Sequence, residues 1–387
     1  MARTPTAPVT PDLLVWARER SGLSLEAAAS KLAIDPQRLL AWEAGADAPT
    51  VAQLRRLANA YKRPLALFFL PEPPRDFMPL HDYRRLRPAE APRWSPALRR
   101  VLRRAQLQQE VVAELRGLLG EAPPSRPAVD RSTSDPESFA AAARARLGIS
   151  LVAQTSWSDR YEALRAWIAA LEDAGVLVLH ASDVPLEEMR GFSIAHAEVP
   201  IIVLNGADAP RARIFTALHE WAHLLLDRAG VCDLHDGGDE ADDRIERFCN
   251  EVAGAILLPR TSLQHEPAYR RIAATDAADD RDVDALASRY EVSHEAVVRR
   301  LVSLGAVSWQ VYLAKRAEYQ DTYARRRSEQ RGFLLPHRRC IRDLGRAYTR
   351  LVLEAYYRDR ITVSDVSDYL GIRLKHLPRI EAEALAA

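Results

Sequence analysis

The chain has 387 residues, of which 48% are apolar, and its 54 Lys and Arg against 53 Asp and Glu leave a net charge of +1. That length accommodates two or three packed domains, and near-neutrality excludes a chain held on nucleic acid by one global field. Its three cysteines include no Cys-x-x-Cys pair, no apolar stretch reaches ten residues, and the N-terminal MARTPTAPVT lacks the apolar core of a signal peptide, so a cytoplasmic protein with reduced thiols and no membrane partner is expected.

Charge is nevertheless uneven. Nine Arg face three acids from Arg84 to Arg116, nine Arg face two acids from Arg325 to Arg350, and eight acids face two Arg from Cys232 to Glu251, where a cation would be drawn in. The two arginine-rich stretches read equally well as solvated helix faces.

Residues 11–70 read as five short helices, at 11–21, 25–32, 36–44, 50–61 and 64–70. Ser24 suits an N-cap, Asp35-Pro36 a cap followed by a first-turn proline, Gly45 a helix stop, and Thr50 to Gln53 a capping box. Leu39 and Trp42 read as core, leaving Gln37 and Arg38 exposed at the start of the third helix, where their side chains could reach base edges of double-stranded DNA. Only eight bases against six acids lie between Asp12 and Leu70, so a docking domain without DNA affinity is the competing reading.

The proline-rich stretch at 71–79 closes this unit, and residues 71–150 form a linker with a long helix from Arg99 to Leu119, suited either to dimer formation or to internal packing. Between 151 and 310 the pattern changes. A helix over 159–174 precedes short apolar strands at 176–179, 191–194 and 200–204, and helices follow over 208–226 and 245–258, which predicts an α+β domain. Residues 283–304 again read as helix, Ser293 cap and helix, a second helix-turn-helix-like unit. The last region, 311–387, is predicted helical; its Tyr348, Tyr356, Tyr357 and Arg358 suit either single-stranded nucleic acid or a half-buried core. The fold class expected is therefore mainly α with a small sheet: an all-α N-terminal domain, an α+β middle and a helical C-terminal region.

The chemistry concentrates in FTALHEWAHLLL at 215–226. On a helix, His219 and His223 fall one turn apart on one face and can share a zinc ion, with Glu220 beside them as general base. A third ligand must come from elsewhere, and IERFCNEVAGAILLP at 245–259 offers Glu246, with Asn250 one turn on to hydrogen-bond a ligand histidine. Ordinary surface acids are the plain alternative for that helix. His235 and His265 are candidates for an oxyanion donor, although each reads more simply as a surface polar residue.

These two runs resemble the ImmA/IrrE metallopeptidases, whose helical H-E-x-x-H is followed by E-x-x-A/C-N-x-x-A-x-x-L-L-x-P; here Glu246, Cys249, Asn250, Ala253, Leu257, Leu258 and Pro259 fill the second pattern. The resemblance implies a zincin-like α+β middle domain with His219, His223 and Glu246 as zinc ligands, Glu220 as base and Asn250 as an orienting residue. Residues 11–70 resemble the Xre (Cro/CI-type) helix-turn-helix group through Ala41-Trp42-Glu43-Ala44-Gly45 and Pro49-Thr50, although Leu25 stands where that group often has Gln. With Asp82-Tyr83-Arg84-Arg85 between the domains, the whole is similar to a bacterial two-part architecture. It implies a DNA-binding regulator whose zinc peptidase domain cleaves a specific partner such as a transcriptional repressor under stress. The alternative it leaves open is an antitoxin-like autorepressor that neutralises a toxin of nuclease fold without cutting it; a homodimer fits either reading.

Overall fold

The computed structural model describes residues 6–73, 94–122, 135–195, 198–226, 231–232, 240–329 and 335–385, with side chains excluded at 231–232, 240–243 and 320–329. Asp82 to Arg85 and His235 lie outside the described residues. The chain divides into two compact units: the described parts of Met1–Pro79 and Glu90–Arg104 form one, and those of Leu80–Ala89 and Ala105–Ala387 the other.

The first unit holds α1 (Pro11–Arg20), α2 (Leu25–Leu32), α3 (Pro36–Glu43), α4 (Val51–Tyr61) and a single 3-10 stretch at Leu65–Phe69. Local chemistry sets each boundary. The Ser24 and Asp35 side chains accept the Ala27 and Gln37 amides, and Thr50 and Gln53 close a reciprocal capping box. Leu13, Leu14, Leu39, Trp42, Leu54, Leu57, Tyr61 and Phe68 form the core. Beside them, Arg18 donates from Nε and one terminal nitrogen to the two Glu43 oxygens at 2.8 and 3.0 Å, a fork that neutralises a buried carboxylate.

The long helix α5 (Pro96–Leu119) buries a stripe that includes Leu98, Leu102, Ala105, Val112 and Leu115, as an internal packing helix does. In the second unit it is followed by α6 (Pro136–Leu147), α7 (Leu151–Ser156), α8 (Arg160–Asp173), β1 (Leu177–Ala181), β2 (Gly191–Ile194), β3 (Ile201–Asn205), α9 (Pro210–Leu225), β4 (Val231–Cys232) and α10 (Glu240–Leu257). Helices α11 (Arg260–Leu263), α12 (Pro267–Thr275), α13 (Asp280–Tyr290), α14 (His294–Ser303) and α15 (Trp309–Glu329) come next, then α16 (Pro336–Leu344), α17 (Arg346–Tyr357), α18 (Val363–Leu370) and α19 (Leu377–Ala384). The strand order is β1-β3-β2-β4, with β1 parallel to β3 and the other pairs antiparallel. Every residue of β1 and β3 is buried, so the sheet is covered on both faces and shows no alternation. The protein is thus mainly α with a small sheet, and no described helix is long and apolar enough to cross a membrane.

Helix α9 lies tight against the sheet because Gly191 opens β2: a Cβ there would stand 2.5 Å from Cγ2 of Thr216. On the sheet's far edge, α16 packs on β1, and Gly345, at φ +79°, brings its backbone close to the Val178 carbonyl. Glu172, at the end of α8, accepts the Ala347 amide at the start of α17. Tyr348 is buried, with its hydroxyl donated to the Tyr369 carbonyl, whereas Tyr357 is exposed.

Burial raises the Glu172 carboxyl from 4.5 to about 7, against the lowering effect of the α17 amides. The folded state therefore holds a proton that the unfolded chain has released, and stability falls as pH rises from about 4.5 through about 7. Replacing Glu172 with Gln should leave stability unchanged at pH 4 and raise it at pH 8 by on the order of 3 kcal/mol, read from denaturant midpoints. Parallel pH profiles for the two proteins would exclude this role.

Candidate metal centre

Helix α9 begins at Pro210, whose fixed φ suits a first turn, and is so deeply enclosed that His219, Glu220 and His223 are 1%, 0% and 0% exposed. A helical repeat of 3.6 residues sets the two histidines one turn apart, with their Nε2 atoms 3.1 Å from each other. Helix α10 packs along α9 and brings in Glu246, one carboxylate oxygen 3.2 Å from His219 Nε2 and the other 3.2 Å from His223 Nε2. Among the described residues these three form the one group of His, Cys, Asp or Glu with the spacing of metal ligands.

The edges of this triangle test its fit to an ion. Ligand atoms bonded at ~2.0–2.1 Å around a tetrahedral ion stand about 3.3 Å apart, close to the 3.1, 3.2 and 3.2 Å found here. Hydrogen bonding alone serves the arrangement badly, because two imidazole nitrogens and a carboxylate converge on one point that a single proton cannot share among three pairs. Burial raises the Glu246 carboxyl, but the His219 and His223 imidazoles outweigh it and hold the group well below the usual carboxylate range. The donor set of two nitrogens and an oxygen suits zinc and leaves room for a fourth ligand.

Glu220 is sealed from solvent one position after His219. Burial pushes the Cys249 thiol far up, and the Glu246 and Glu220 charges add to that, so both carboxylates act on the same small volume. Asn250 is buried one turn after Glu246, as its spacing predicts, but its side-chain oxygen has no hydrogen-bond partner among the described residues and the expected bond to a histidine is not formed. His265 lies exposed in the turn after α11. In the first unit, Gln37 and Arg38 are exposed in the first turn of α3, with the Arg38 guanidinium 5.3 Å from the centre of the Trp42 ring.

What sequence patterns missed is the anchorage of α10. Its last carbonyls would be orphaned in an apolar core, yet Ile256 accepts from Arg144 on α6 at 2.5 Å, Leu257 from Gln154 on α7 at 3.1 Å, and Leu258 from Arg300 on α14 at 2.9 Å. Two cations at a helix C-terminus also oppose the negative end of its dipole. The three donors come from distant segments, so no local motif announces them. Their polar type at otherwise apolar helix positions was the available signal.

Comparison with known families matches residues 14–68 to the helix-turn-helix family and residues 171–302 to the IrrE N-terminal-like domain of the M78 peptidases. Among solved structures, a Mycobacterium tuberculosis transcriptional regulator is 18% identical, with 49% of this chain and 51% of that chain covered at a TM-score of 0.30. The chain thus spans about half the length of that protein. Comparison with curated proteins gave no match.

Zinc content measured by mass spectrometry on purified protein should be about one ion per chain and should drop by at least tenfold in affinity on His223→Ala or Glu246→Ala. Equal zinc retention by both variants would dissociate these side chains from any ion.

Proposed function

We propose that this chain, in which a helix-turn-helix domain is joined to an IrrE N-terminal-like peptidase domain, is a DNA-binding regulator that hydrolyses one partner protein at a zinc centre. The observation that carries the reading is the convergence of His219, His223 and Glu246 within 3.2 Å of one another, with the carboxylate of Glu220 buried on the same helix. A site that only stabilised the fold would need no acid held beside it.

In this reading His219, His223 and Glu246 hold the ion and Glu220 is the base. A bound zinc ion supplies Lewis acidity, which lowers the pKa of water and polarises a peptide carbonyl. Glu220 accepts the proton of the attacking water and passes it to the departing amine nitrogen as the C–N bond breaks. The enclosure of Glu220 keeps bulk water from competing for that proton. In the same reading Asn250, whose buried side-chain oxygen has no partner among the described residues, orients one of the ligand histidines by accepting from its ring N–H. Gln37 and Arg38 address the chromosome, which couples cleavage of a repressor, under stress in the cytoplasm, to a chosen promoter.

Two measurements test the two halves. Incubated with a repressor or toxin, should a neighbouring gene encode one, the wild-type chain should cut that partner in a chelator-sensitive way, while Glu220→Gln should keep its zinc and lose at least a hundredfold in rate. A Glu220→Gln protein that cuts normally removes Glu220 from the chemistry, and a wild type that binds its partner without cutting it favours the antitoxin-like reading. On DNA, Arg38→Ala should weaken binding to the chain's own upstream region by about 1–3 kcal/mol in anisotropy titrations, and unchanged affinity would rule out readout by α3.

A further inference from the structure

The turn that joins α2 to α3 occurs a second time at the far end of the chain. Ser24 caps α2 by accepting the Ala27 amide, and Thr362 caps α18 by accepting the Asp365 amide. Helix α2 runs Leu25–Leu32 and α18 runs Val363–Leu370; each is followed by one left-handed residue, Ala33 at φ 52° and Gly371 at φ 61°. The next amide closes back on the helix at 3.1 Å in both, Ile34 to the Ala29 carbonyl and Ile372 to the Ser367 carbonyl. An extended residue follows, Asp35 or Arg373, and then a second helical segment begins at Pro36 or Leu374. Buried positions correspond as well: Ala28, Leu32, Leu39 and Trp42 match Val366, Leu370, Leu377 and Ile380. Every matched position lies 338 residues after its counterpart.

A third version links α13 to α14, with Glu291 left-handed and the Val292 amide on the Ala287 carbonyl at 3.0 Å. There the outer face of the second helix is sealed: Ala296 and Val298, which correspond to Arg38 and Leu40, are 5% and 0% exposed within the core of the unit. That copy serves packing. The α18–α19 copy is different, because Arg373, Leu374, Lys375, Pro378 and Arg379 are on the surface while Leu377, Ile380 and Ala384 face inward. Lys375 and Arg379 stand one turn apart on the outer face, and among the described residues no ion pair engages them or Arg373. Acids of the same helix are occupied elsewhere, Glu381 by the Tyr357 hydroxyl and Glu383 by His337 and Arg338.

We infer that α18 and α19, with the helical turn at Leu374–His376, form a second helix-turn-helix that contacts double-stranded DNA through Arg373, Lys375 and Arg379. Lys375 occupies the place of Gln37, and three exposed cations, at the entry to the second helical segment and along its outer face, complement the phosphates bordering a major groove. The exposed Leu374 between them suits apolar contact with a thymine methyl. Binding through this face is dominated by phosphates and therefore tolerant of sequence, in contrast to the α3 surface.

The test uses the full-length protein, a mixed-sequence duplex of about three helical turns, and anisotropy titrations between about 50 and 200 mM salt. Arg373→Ala, Lys375→Ala and Arg379→Ala combined should weaken binding and make the log–log salt dependence shallower by about 0.9 for each phosphate no longer neutralised, roughly 2 to 3 in all. The same reduction should appear in a Gln37→Ala/Arg38→Ala background, which separates this face from α3. Arg373→Lys with Arg379→Lys should retain affinity. Unchanged affinity and slope in the triple variant would overturn the inference, as would an equal loss on the corresponding single strand. Helical content and zinc content are checked in parallel, and if the triple variant is misfolded, the single Lys375→Glu change reads the same interaction.

Discussion

The architecture of the second unit is governed by the cost of holding two imidazoles and a carboxylate inside an apolar interior. His219 and His223 are all but sealed from solvent and the Glu246 side chain is 20% exposed, so each must be fixed by something other than its partners. For the histidines that support is α9 itself, pressed onto β2 through Gly191 and enclosed on all sides. For Glu246 it is α10, which is tethered at its C-terminal end by Arg144, Gln154 and Arg300. The sheet, α6, α7 and α14 can each be understood as supports that hold α9 and α10 against each other.

Much of this is legible in the sequence. The histidine pair at 219 and 223 follows from helical periodicity alone, and the capping signals at Ser24, Asp35 and Thr50 mark boundaries that the structure reproduces, because caps are interactions between residues two or three apart. Strand positions are readable from short apolar runs, although β1 extends to Ala181 and includes His180, which burial and then the charges of Arg213 and Arg342 push down to about 3 and so keep neutral. The two-residue strand β4 carries no pattern, since it exists only through pairing with Gly191 and Phe192. The bond expected from Asn250 to a histidine is also missing, since i, i+4 spacing places a side chain on a face but does not choose its rotamer.

The C-terminal region shows how one backbone device can be put to different uses. A left-handed residue after a helix, followed by a closing amide and a second helix, recurs around Ala33, Glu291 and Gly371. What distinguishes the copies is the outward face of the second helix, apolar and sealed in α14 but basic and open after Gly371. The geometry of the turn is a matter of local sequence. Its employment depends on neighbours.

The tethering of α10 bears on how the molecule is made. Two of its three anchors, Arg144 and Gln154, precede the helix, but Arg300 lies 42 residues beyond the carbonyl that it holds. A nascent chain that has emerged only as far as α10 therefore carries every residue of the histidine–glutamate triangle while lacking the last restraint on the helix that supplies Glu246. The last restraint on the helix that supplies Glu246 thus arrives only when synthesis has passed residue 300, so a polypeptide that has reached α10 holds the parts of the centre before they are fully braced.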